Sequence, residues 1–195
     1  ETAKDGDDLR FYGFDMQRWS YNLQYLIEAC EKAGIDVTEL KKLEDTEEQH
    51  SEYDVEQQSQ VITEIKEELQ KSDVKDIAQA DHLADTLLQN ISFGKVFNSA
   101  LEGNALRDKL MAENVMWILS MEELRGNSCI FISGHNGHIE RSGNYGTDNR
   151  VMGNILSGEL GEGYFAIGTD FYKTNCNLPK SDGKRITHTF YSYDL

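Results

Sequence analysis

The residues best equipped for chemistry are His135, Asn136, Gly137 and His138, which follow one another directly. Two imidazoles three positions apart can move protons, donate hydrogen bonds or hold a metal ion. Each neutral ring carries one donor and one acceptor nitrogen. They converge only if the backbone turns, and Gly134 and Gly137 permit a turn. Arg107, Glu113 and Asn114 add polar groups upstream, and Asp15 follows an aromatic-rich run. His50, His82 and His188 have no ligand-type cluster beside them and read as surface histidines. There is no Gly-x-Ser-x-Gly sequence, which argues against a serine nucleophile.

The elements around these residues must position them. Cys129, Ile130, Phe131 and Ile132 form a continuous apolar run, bounded by Gly126-Asn127 and Ser133-Gly134. Such a run predicts a strand buried on both faces, as in a parallel sheet. The histidine motif would then sit at the carboxyl end of a strand, where open α/β sheets place their ligands. Residues 104–124 predict a helix: Leu106, Leu110, Met111, Trp117, Ile118 and Met121 fall on one broad face. Arg107 and Asn114 project from that face and need partners there. They are either structural, as an ion pair or a loop cap, or they point into a site. Asp15 has the same two readings. It caps the following helix, which is the simpler one, or it is a site carboxylate.

Taken together, these residues resemble a known family. Arg107-Asp108, Met111-Ala112-Glu113-Asn114, the apolar run and His135-Asn136-Gly137-His138 resemble the erythromycin esterase family. Its members include macrolide-inactivating esterases and relatives described as succinoglycan biosynthesis proteins. The run from Phe11 to Gln17, Met152-Gly153 and Ala166-Ile167-Gly168 also follow the family order. The resemblance implies hydrolysis of a small-molecule ester or lactone by an activated water, with no metal and no other cofactor. The family's Glu-x-x-His-Gly motif, whose histidine is regarded as the general base, does not occur in these residues. Residues 1–195 are therefore expected to be a single partial domain, inactive in isolation. His135, His138, Arg107 and Glu113 are the expected catalytic groups, with Asn114, Asn136 and Asp15 binding substrate.

Two other classes stay open. His135 and His138 could serve a metal-dependent hydrolase, although a catalytic zinc wants a third protein ligand. The chain could instead be a non-catalytic interaction domain working through its acidic helices. Composition narrows the partners. With 19 Lys and Arg against 35 Asp and Glu, the formal charge is −16. Neither nucleic acid nor an anionic membrane surface is an expected partner for such a chain. Cys30, Cys129 and Cys176 form neither a zinc pattern nor a disulfide framework, so a reducing cytoplasm is expected. No apolar run approaches membrane length. Oligomeric state is not legible.

The remaining elements complete the expected architecture. A strand is predicted over residues 9–14 and a helix over 19–33, ended by Gly34. Residues 36–98 are predicted as an acidic helical hairpin excursion, with helices over 56–71 and 74–97. The first has only a narrow stripe of Val61, Ile62, Ile65 and Leu69, so residues 50–71 are expected to add little to the core. Residues 140–150 read as a loop rimming the site. A helix over 151–160, a strand over 164–168, a loop over 171–183 and a closing strand over 185–193 follow. This order predicts an α/β fold: a layered sheet of a few mainly parallel strands flanked by helices.

Overall fold

A computed structural model describes residues 9–44, 53–72, 77–146 and 148–191. Its helices are α1 (Trp19–Ala33), α2 (Thr38–Lys41), α3 (Val55–Lys71), α4 (Ile77–Val96), α5 (Ala100–Leu124), α6 (Asn136–Ile139) and α7 (Met152–Leu160). A single 3-10 turn, Gly161–Gly163, follows α7, and the strands are β1 (Lys173–Pro179) and β2 (Arg185–Tyr191).

Local sequence explains the helix ends. Gly34 closes α1 at φ 72°, a left-handed conformation that glycine adopts without a side-chain penalty. Asp54 opens α3 with a reciprocal cap. Gln57 N–H donates to Asp54 Oδ1 at 2.9 Å, and Asp54 N–H donates to Gln57 Oε1 at 3.0 Å.

The helices build two cores. In the first, Leu23, Leu26 and Cys30 of α1 meet Ile62 and Leu69 of α3 and Ala84 and Leu87 of α4. Helices α3 and α4 run antiparallel. Lys66 pairs with Asp85 and, at 3.4 Å, with Asp81, while Gln70 further along α3 bonds Asp81 at 2.8 Å. The expectation that residues 50–71 add little to the core is corrected here. Ile62 and Leu69 are 0% and 1% exposed, each contributing about 1.5–3 kcal/mol of burial. A narrow stripe is enough when it lies in the seam of a helical layer. The second core gathers Met111, Ala112 and Val115 of α5 with Met16, Phe93, Met152 and Leu156. Helix α5 is buried around most of its circumference because it packs against both α4 and α7.

The predicted layered parallel sheet does not form. The described residues hold one two-stranded antiparallel sheet, β1 with β2, in which Cys176 faces His188. Its turn uses Gly183 at φ 77°, and Lys180 N–H donates to the Lys184 carbonyl at 2.7 Å. Strand β2 lies within the predicted closing strand. Strand β1 occupies residues read as a loop, with Pro179 at its last position, where a strand tolerates a missing donor.

The other three predicted strands, over residues 9–14, 129–132 and 164–168, carry no strand ladder. Their side chains still alternate. Phe14, Ile130, Ile132 and Tyr164 pack on the second core, whereas Phe11, Phe131 and Phe165 are 89%, 92% and 83% exposed. Cys129, expected in a buried strand, is exposed. A period of two gives each segment an inner and an outer face. Helices cover the inner one, and an apolar run by itself supplies no cover for the other. No described helix is long and apolar enough to cross a membrane.

Candidate functional site

The site starts from a stripe on α5. Asp108, Met111, Val115, Ile118 and Glu122 recur at helical spacing on one side, and all five are buried. A carboxylate therefore stands at each end of an apolar stripe, and buried carboxylates require partners.

Asp108, 0% exposed, finds three. Its Oδ1 lies 2.8 Å from His138 Nδ1 and accepts the Met152 N–H at 2.9 Å. Its Oδ2 accepts the Tyr145 hydroxyl. These partners come from α6, from the first turn of α7 and from the glycine-rich loop expected to rim the site. Burial, and then the Asp108 carboxylate, raise the Tyr145 pKa, so the phenol stays protonated as a donor. The Arg107 charge opposes part of that rise.

Close packing holds the parts in place. A Cβ at Gly153 would lie 2.3 Å from the carbonyl carbon and oxygen of Ile139, so only glycine lets α7 approach the end of α6. Tyr164 adds a hydroxyl bond to the Ile139 carbonyl at 2.7 Å. Arg141 reaches back to the carbonyls of Tyr164 and Gly161.

His135 opens α6 as its cap. Its Nδ1 accepts the Gly137 N–H at 3.1 Å, and its carbonyl accepts the His138 N–H at 2.9 Å. The two imidazoles lie with ring centroids 6.3 Å apart and planes at 73°. His135 is exposed, and His138 is one-quarter exposed. Asn136 turns away to clamp Thr169: its Nδ2 donates to the Thr169 carbonyl at 2.5 Å and its Oδ1 accepts the Thr169 N–H at 3.2 Å. Next to Asp108, Arg107 forms an ion pair with Asp15 at 2.6 Å and 3.2 Å. Asp15 therefore neutralises Arg107. It does not cap α1, which starts at Trp19 with no side-chain cap.

The sequence of residues 1–189 matches the erythromycin esterase family. The chain belongs to the erythromycin esterase family. A solved structure of a Bacillus cereus protein shares the fold, with a TM-score of 0.66 at 22% identity. The match covers 99% of this chain and 51% of the Bacillus chain, so this chain spans about half that protein's length. No curated protein matches it.

In this erythromycin esterase family chain, the predicted site residues divide. His138 and Tyr145 meet on Asp108, His135 lies beside His138, and Arg107, the neighbour of Asp108 on α5, pairs with Asp15. Glu113 does not join them: it pairs with Lys109 at 3.4 Å, and its side chain is half exposed. Asn114 is buried between helices. It exchanges amide bonds with Gln89 at 3.0 Å and 2.9 Å and donates to the Phe14 carbonyl at 2.9 Å. His82 is not a surface histidine. It stacks on Trp117 at 3.7 Å between ring centroids, and burial lowers its pKa. It lines a groove of about 660 Å³ that also contains Asp15 but neither histidine of the motif. His188 is exposed on β2, as expected, and His50 lies outside the described residues. Among the described residues, no three His, Cys, Asp or Glu side chains converge as a metal site.

Sequence reasoning missed Asp108 and Tyr145. Asp108 had a usable signal, since it is in helical register with Met111, Val115 and Ile118. Tyr145 had none beyond being an aromatic residue in a glycine-rich loop.

Proposed function

We propose that the chain forms part of a hydrolase that cleaves an ester or lactone of a small molecule by histidine-assisted attack of water. The observation that carries this reading is the anchoring of His138 by a fully buried carboxylate, Asp108. Anchoring a ring through one nitrogen orients the other for proton transfer, the usual task of an imidazole near neutral pH. His135 and His138 are the groups that meet the reacting atoms. Arg107, whose charge Asp15 balances, offers guanidinium N–H donors beside the site, where negative charge develops on the substrate oxygen. Tyr145 and Asp108 position His138 and touch no substrate.

The test is a panel of esters and lactones offered to the full-length gene product in heavy-oxygen water, with and without a chelator. The expected result is turnover that places one labelled oxygen in the acid product and is unaffected by the chelator. No turnover across the panel, or label in the alcohol, refutes acyl transfer to water. Loss of activity with the chelator, restored by zinc, makes the protein a metal hydrolase.

A further inference from the structure

We propose that the two histidines of the motif are held in opposite tautomers, His138 presenting a bare Nε2 and His135 a protonated one. The pair then offers one acceptor and one donor to a bound group.

The hydrogen-bond partners fix each ring. A backbone N–H can only donate. The Gly137 N–H lies 3.1 Å from His135 Nδ1, so that nitrogen carries the lone pair and the proton of the neutral ring sits on Nε2. An ionised carboxylate can only accept. Asp108 already takes the Met152 N–H on Oδ1 and the Tyr145 hydroxyl on Oδ2. Its third partner, His138 Nδ1 at 2.8 Å, must therefore supply a proton, which leaves His138 Nε2 bare. Asp108 is 0% exposed, so water does not compete for the carboxylate. Neither Nε2 has a protein partner among the described residues.

This polarity selects what each ring can hold. An ester carbonyl oxygen only accepts and suits the His135 N–H. A water or a hydroxyl group can donate and suits His138 Nε2. The motif is thus asymmetric although it repeats one residue type. His135 is the donor for the carbonyl oxygen, and His138 is the acceptor that orients the water. This division of roles rests on the hydrolase reading, whereas the tautomers do not.

Nitrogen NMR of isotope-labelled histidine tests the tautomers directly, at a pH where the spectrum itself shows both rings neutral. Peaks are assigned with His135→Gln and His138→Gln. The expected spectrum shows the proton of His138 on Nδ1 and that of His135 on Nε2. The same tautomer in both rings, or the reverse pair, overturns the proposal. In Asp108→Asn, His138 should become a mixture while His135 stays unchanged. An unmixed His138 in a folded Asp108→Asn would remove Asp108 as its anchor. If that variant does not fold, the wild-type spectrum still decides the tautomers.

Kinetics on a hydrolysed ester test the roles. Losing one donor to a developing oxyanion typically costs about 100- to 1,000-fold in kcat. His135→Gln, whose amide still donates, should therefore retain at least about 10-fold more kcat than His135→Leu. At His138 the ring must also take the proton of the water, which neither a non-basic amide nor Leu can do, so the same two substitutions should be equally damaging. Opposite tautomers without this contrast would leave the geometry standing and overturn the hydrolytic roles.

Discussion

Gly153→Ala probes how tightly the site is assembled. The added Cβ would lie 2.3 Å from the carbonyl carbon and oxygen of Ile139 and 2.8 Å from Glu140 N. Non-bonded carbon contacts settle near about 3.5–4.0 Å, so α7 and the end of α6 must separate by roughly 1 Å. The atoms in the way are backbone and cannot rotate aside. Overpacking of this kind typically costs about 1–3 kcal/mol. At about 2–4 °C per kcal/mol for a domain of this size, Tm should fall by roughly 4–8 °C for a cost of about 2 kcal/mol. The same movement separates Met152, which begins α7, from His138, which lies on α6, although both bond Asp108. A misplacement of about 1 Å can cost on the order of 100-fold in rate. Calorimetry, with kcat on an ester found by the panel, reads both effects. Wild-type Tm and kcat in Gly153→Ala would refute the claim that this close approach builds the site.

Two predictions concern the scaffold. The Glu122 carboxyl is held down to about 2 by hydrogen bonds from Tyr12 and Arg10, against the opposing effect of burial. Its folded pKa lies below the ordinary value of 4.5, so its contribution to stability is complete above about 4.5 and is lost as pH falls toward about 2. Denaturant midpoints measured across that window should fall less steeply in Glu122→Gln than in wild type, and identical slopes would contradict the assignment. Leu69→Ala, at a site 1% exposed, should cost about 2–5 kcal/mol by chemical denaturation. Leu124→Ala, at a site 82% exposed, should stay within about 0.5 kcal/mol, and equal costs would remove α3 from the core.

The helices were legible because period and punctuation agree. Leu23, Leu26, Ile27 and Cys30 mark one face of α1, and Gly34 marks its end. Of the two strands, β2 was legible and β1 was not, and the three other expected strands did not form. Alternating burial at Ile130, Phe131 and Ile132 comes from cover on one face only, which a run of apolar residues does not encode. Strand β1 was hidden by Asn175, Asn177 and Pro179, all poor strand formers. Within the site, the histidine motif was legible from residue type, whereas the Arg107–Asp15 ion pair was not, because Asp15 read first as a helix cap. Glu113 was drawn in by the resemblance of Met111-Ala112-Glu113-Asn114 to the family, yet neighbours on a helix point about 100° apart, and Glu113 faces out beside Lys109. The same geometry hid Asp108 behind Arg107. One faces the ion pair with Asp15 and the other faces the interior.

The most direct test of the central claim, that His138 anchored on Asp108 works at the reacting centre, is kcat for His138→Gln in the full-length protein. His82→Gln serves as the control, because His82 stacks on Trp117 and lies outside the cluster. Removing an imidazole that transfers or orients a proton should lower kcat by about 100- to 10,000-fold. His82→Gln should retain most of the wild-type kcat. Wild-type kcat in His138→Gln, with His82→Gln inactive, would contradict the account and move the chemistry to the groove beside Trp117.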